Sequence, residues 1–82
     1  MPEDSLDKLT ERLADFARCR DWQQFHSPKN LSMALIAEAA ELIEHFQWLT
    51  EDQSHQLDEQ KRHEVSLELA DILIYLIRTA DT

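Results

Sequence analysis

Apolar residues recur along this chain at helical rather than strand spacing. Leu6, Leu9, Leu13, Phe16 and Ala17 form an i, i+3, i+7 stripe, which predicts one buried face of an amphipathic helix. Ser5 suits its N-cap, and the period ends near Arg20. The segment Asp21-Trp22-Gln23-Gln24-Phe25-His26 breaks the period while holding two aromatics and a histidine, which suits a loop that either plugs the core or meets a ligand. Ser27-Pro28 reads as an N-cap followed by proline at the first helical position, where the missing N–H leaves no bond unmade. A second helix follows to about Leu49. Thr50-x-x-Gln53 resembles a capping box, and the polar stretch Glu51 to Gln60 predicts a turn or short helix that leads into a third long helix over about Lys61 to Ala80.

The polar positions on the two later helices are as ordered as the apolar ones. At 100° per residue, Asn30, Ala34, Glu38, Glu41, His45 and Trp48 fall within an arc of about 80°. The apolar face of Leu31, Leu35, Ala39, Leu42, Phe46 and Leu49 borders this line. On the third helix Glu64, Glu68, Asp71, Tyr75 and Arg78 also share an arc of about 80°, and the rest of the circumference is largely apolar, which predicts a helix buried nearly all round. Carboxylates at the margin of a core cost several kcal/mol each if uncompensated, and like charges raise one another's pKa. Glu38 with Glu41 and Glu68 with Asp71 are i, i+3 pairs, so two such helices side by side present four carboxylates. Four hard oxygen donors match Mg²⁺ or Mn²⁺ and match zinc poorly. Magnesium fills its remaining positions with water and phosphate oxygens, so the pattern points to a phosphorylated substrate.

Composition narrows the picture. The chain has 82 residues and no glycine, which predicts one all-α domain over residues 1–82. A domain of this size buries only about 60% of its unfolded surface, and the single Cys19 cannot close an internal disulfide, so association or metal is expected to complete the core. A formal charge of −9 argues against a nucleic acid polymer as partner. It leaves open a small phosphorylated ligand that arrives with a divalent cation. One cysteine, no charged-then-apolar leader and no apolar run near the ~20 residues needed to span a bilayer predict a cytoplasmic protein with no membrane partner.

The strings Arg20-Asp21-Trp22-Gln23-Gln24-Phe25-His26-Ser27-Pro28-Lys29-Asn30-Leu31, Ala37-Glu38-Ala39-Ala40-Glu41-Leu42, Phe46-Gln47-Trp48 and Glu68-Leu69-Ala70-Asp71-Ile72-Leu73-Ile74-Tyr75-Leu76 closely resemble the MazG-like all-α NTP pyrophosphohydrolases. Within these the chain looks most like the dCTP pyrophosphatase branch. The family signature is ExxE, a spacer, then ExxD; here residues 42–67 form the spacer. The resemblance implies a helical bundle of three main helices and a short connecting one, completed as a homodimer or homotetramer. It also implies Mg²⁺-dependent hydrolysis of nucleoside triphosphates, with dCTP or related pyrimidine deoxynucleotides expected, to monophosphate and pyrophosphate in a house-cleaning role.

Carried over to this chain, the resemblance implies that Glu38, Glu41, Glu68 and Asp71 hold the metal against the triphosphate. Glu41 is the expected orienter of the attacking water, with Glu38 beside it. Trp22, His26, Asn30, Trp48 and Tyr75 match positions that surround the nucleotide. Glu44 and Glu64 read as solvated or bridging, His45 as a surface pair or a phosphate contact, and Arg78 as meeting a phosphate or a neighbouring subunit. Members of the family continue into a further helix after ExxD, so a chain stopping at Thr82 is expected to lack part of the phosphate-binding set. Two other readings compete. A ferritin-like di-iron bundle wants Glu-x-x-His, whereas Glu41 and His45 are four apart and no histidine follows Glu68. A non-catalytic acidic interaction module would show no metal- and nucleotide-dependent rise in thermal stability.

Overall fold

A computed structural model describes residues 5–82, and these form α1 (Ser5–Cys19), a 3₁₀ turn (Gln23–Phe25), α2 (Pro28–Glu44), α3 (Glu51–Ser54) and α4 (Glu59–Asp81). No strand occurs among the described residues. Ser5 already lies inside α1, so the capping position expected there falls outside the described residues. The end of α1 has a full chemical explanation. The Trp22 N–H donates to the Ala17 carbonyl (2.9 Å) and the Asp21 N–H to the Arg18 carbonyl (3.1 Å), the paired bonds of a Schellman motif. That motif needs a left-handed residue at its turning point. With no glycine available, Asp21 takes the position at φ 55°, and Gln24 Nε2 donates to its carboxylate at 3.0 Å. A side chain there costs roughly 1 kcal/mol relative to glycine. Asp21→Gly is therefore expected to raise the melting temperature by about 4 °C in a domain of this size; an unchanged or lower midpoint in calorimetry would show that the Gln24 bond outweighs the backbone cost.

The Ser27 hydroxyl accepts from the Asn30 N–H (3.1 Å) and Pro28 occupies the first turn, so α2 starts as expected. It ends at Glu44 rather than near Leu49. Beyond Glu44 i→i−3 bonds appear, His45 N–H to Leu42 and Leu49 N–H to Phe46, around one remaining i→i−4 bond from Gln47 N–H to Ile43, a partly 3₁₀-like tightening. Thr50 must be extended to cap α3, and its hydroxyl and the Gln53 side chain form the reciprocal capping box. His45 and Trp48 thus lie beyond the regular turns of α2 that carry Glu38 and Glu41. The start of α4 lies two residues earlier than periodicity suggests, because the Asp58 carboxylate accepts from the Lys61 N–H at 2.7 Å.

α2 and α4 run antiparallel, as the His45–Lys61 and His26–Arg78 contacts at opposite ends require. α1 packs on α4. The buried apolar residues are Ala17, Leu31, Val65 and Ile77, and the shortest Cα extent is 19 Å. The expectation that the third helix is buried nearly all round is not met within one chain: Leu67, Leu69, Leu73 and Leu76 are 43–53% exposed. The side of α4 bearing Leu69, Leu73 and Leu76 finds no facing element among the described residues. Among the described residues no helix is long and apolar enough to cross a membrane.

Candidate metal centre and flanking cavities

Helical spacing and antiparallel pairing together build the acidic centre. Each i, i+3 pair puts two carboxylates on one turn, and the α2–α4 register sets Glu38 against Glu68. Glu38, Glu41 and Glu68 each offer an oxygen within 4.8 Å of the others. Asp71 lies outside this tightest group but is near enough for its charge to raise the pKa of both Glu38 and Glu68. Glu38 and Glu68 are half-buried, whereas Glu41 and Asp71 are exposed.

The Oε2 atoms of Glu38 and Glu68 are shielded from solvent and have no hydrogen-bond donor. As ionised carboxylates both are acceptors only, so the pair needs either a shared proton or a cation. The proton solution appears in the titration. Glu38 is pushed up to about 7, first by a hydrogen bond to Glu68, then by desolvation and the charges of Glu41, Glu68 and Asp71. Glu68 is pulled down by its bond with Glu38, yet desolvation and the charges of Glu41 and Asp71 leave it raised on balance. The cation solution fits the same atoms: hard, convergent oxygens with unused lone pairs suit a divalent metal.

A pH dependence follows. The Glu38 carboxyl binds its proton up to about 7 when folded, against an ordinary value of 4.5. Between those values the folded state holds more protons than the unfolded one, so stability falls as pH rises through the window. Metal affinity moves the other way, because the proton must leave before the cation binds. Melting curves in EDTA are expected to drop from about pH 5 to pH 8 with a slope that Glu38→Gln reduces. An identical slope in the variant would place the titration elsewhere.

A cavity of about 720 Å³ opens beside the acidic centre, lined by Arg12, Leu13, Phe16, Ala17, Trp22, His26, Asp71, Ile74, Tyr75 and Arg78. This volume lies in the range of small-molecule sites. Trp22 meets Phe16 edge-on (centroids 5.4 Å) and stands 6.3 Å from His26. Asp71 belongs to both the acidic cluster's field and the cavity wall, which joins the two. Trp22, His26 and Tyr75 are thus brought together.

Asn30 and Trp48 stand apart from this group. The Asn30 side chain donates to the Phe25 carbonyl at 3.1 Å and ties the 3₁₀ turn to α2. Trp48 is 86% exposed and lines a separate cavity of about 440 Å³ with His45, Lys61 and Gln53. There Lys61 Nζ lies 3.4 Å from His45 Nδ1 and 3.3 Å from Glu64, so Glu64 bridges as expected. Arg78 is buried at the wall of the larger cavity. It is 6% exposed, its Nε donates to His26 Nδ1 (3.4 Å) and its NH1 to Asp81 (3.2 Å). Arg12, Phe16 and Ile74 were not singled out as site residues by their pattern. Their only signal is membership of stripes that also serve as core, and docking of α1 on α4 makes them cavity wall.

No family model matches the chain. It is 43% identical over 81 residues to dCTP pyrophosphatase 1 of Homo sapiens, covering 96% of this chain and 48% of that protein. The corresponding protein of Rattus norvegicus is 42% identical over the same share of each chain. The chain thus spans about half the length of the curated relatives it matches. A solved pyrophosphatase from Archaeoglobus fulgidus superposes with a TM-score of 0.89 at 36% identity, covering 99% of this chain and 76% of that one. The chain belongs to the MazG-like all-α pyrophosphatases, and along its length it is similar to the dCTP pyrophosphatases.

Proposed function

We propose that this chain hydrolyses nucleoside triphosphates to nucleoside monophosphate and pyrophosphate in a Mg²⁺-dependent reaction, with dCTP or a related pyrimidine deoxynucleotide as substrate. The convergence of Glu38, Glu41 and Glu68 around two donorless oxygens, beside a cavity in the size range of small-molecule sites, carries this reading. Glu38, Glu41, Glu68 and Asp71 would hold Mg²⁺, with Mn²⁺ as a substitute. When bound, the cation neutralises phosphate charge and lowers the pKa of a neighbouring water. Glu41, the exposed member of the tight cluster, accepts the proton of the attacking water, and Glu38 orients it. Oxygen adds at the α-phosphorus, the bond to the bridging α–β oxygen breaks, and pyrophosphate leaves. Asp71 fixes the phosphates relative to a base held by Trp22, His26 and Tyr75, with Asn30 supporting the loop. Trp48 and Lys61 offer a stacking face and a cation from the second cavity. This is the chemistry of a house-cleaning enzyme that clears surplus or non-standard nucleotides in the cytoplasm.

A single all-α domain of this kind would work as a homodimer or homotetramer. Ile36 and Ile43 on α2 and Leu69, Leu73 and Leu76 on α4 lie on the flank of the helix pair away from Glu41 and Asp71, and all are exposed. Apolar surface at this spacing, on so thin a layer, is what a second copy would bury. Pyrophosphate release measured across the dNTPs and NTPs tests the substrate assignment. The highest kcat/KM is expected for dCTP, and a purine nucleotide ranking first would overturn the pyrimidine preference.

A further inference from the structure

The buried Arg78 is unused by the chemistry above. Its Nε donates to His26 Nδ1, and a guanidinium has donors only, so Nδ1 must be the acceptor. A neutral imidazole whose Nδ1 accepts carries its proton on Nε2. His26 also stays neutral readily, because burial and the neighbouring Arg78 charge both hold its pKa down. The ring forms part of the wall of the larger cavity together with Trp22 and Tyr75, and no partner for Nε2 is found among the described residues. We propose that Arg78 is a positioning residue that locks His26 as the Nε2–H tautomer, so that the cavity reads a hydrogen-bond acceptor, a carbonyl or unprotonated ring nitrogen, on the base of its ligand. The inference deepens the nucleotide reading and rests on it for the ligand class. The tautomer itself follows from the Arg78 contact alone.

The arrangement explains why a cation is kept at 6% exposure. Asp81 on the following turn balances its charge at 3.2 Å, and the Nε–H is directed at His26 across 52 positions of sequence. A neutral donor set among aromatic rings discriminates by leaving itself unpaired against a ligand that lacks the acceptor.

Long-range ¹H–¹⁵N spectra of the intact chain decide the tautomer without any turnover. The Nε2–H form is expected for His26, and the Nδ1–H form would overturn the proposal whatever the variants do. Kinetics then compare Arg78→Met and Arg78→Lys on dCTP and on the abasic deoxyribose triphosphate. Arg78→Met is expected to lower kcat/KM about tenfold more on dCTP than on the abasic compound, mainly through KM, the loss expected for one hydrogen bond. Arg78→Lys, which keeps a donor, recovers part of it. Equal losses on both compounds would mark Arg78 as merely structural and overturn the base-reading role. Absence of wild-type turnover on every nucleotide would sink the hydrolase assignment, and the spectra would still decide the tautomer lock.

Discussion

Glu41→Gln is expected to cut pyrophosphate release by about 10³-fold, the range for removing a positioned general base. With metal saturating, the loss should fall on kcat, because the amide keeps one oxygen at the same place but cannot take a proton and binds the cation more weakly. Folding should be unaffected: Glu41 is exposed, and its charge raises the pKa of its neighbours. Rates within tenfold of wild type, measured with saturating metal, would transfer the base role to another group. Glu38 and Asp71 are then the next variants to compare.

The second large effect is a trade of stability against metal binding at Glu38. Replacing this carboxyl with an amide supplies a donor to the orphaned Glu68 Oε2 and removes one of several like charges. The metal-free Glu38→Gln chain is therefore expected to melt higher than wild type above neutral pH. The same change removes a metal ligand. At a hundredfold excess of Mg²⁺ over its Kd, linkage raises wild-type stability by about 2.7 kcal/mol, roughly 10 °C for a domain of this size, and the variant should lose most of that shift. Thermal melts with and without Mg²⁺ read both signs together. A variant that melts lower without metal, or that keeps the full shift, would contradict the reading of Glu38 as a strained ligand.

What periodicity revealed and what it hid divide along local and tertiary lines. Glu38, Glu41, Glu68 and Asp71 were legible because i, i+3 spacing is a property of one helical turn, and the apolar residues beside them showed which side faced the core. The N-cap at Ser27 and the Thr50–Gln53 box were equally local. The end of α2 was not, because no glycine or proline marks the tightening after Glu44, so His45 and Trp48 looked like members of a helix that stops short of them. The Asp58 cap hid in a polar run whose every residue could begin a helix. Arg78 reads from the pattern as a cation that meets a phosphate or a neighbouring subunit; its burial and its bond to His26, on a loop far away in sequence, are tertiary. The apolar side of α4 illustrates the converse limit. Leu69, Leu73 and Leu76 announce burial, but whether the covering surface lies within one chain depends on how many helices the chain can wrap around them.

The most direct test of the account is ³¹P NMR of dCTP incubated with this chain and Mg²⁺ in ¹⁸O-labelled water. The account predicts dCMP and pyrophosphate as the only products, with the label in dCMP and no reaction in EDTA. Appearance of dCDP and inorganic phosphate, label in pyrophosphate, or an unchanged rate in EDTA would contradict attack at the α-phosphorus by a metal-dependent carboxylate centre.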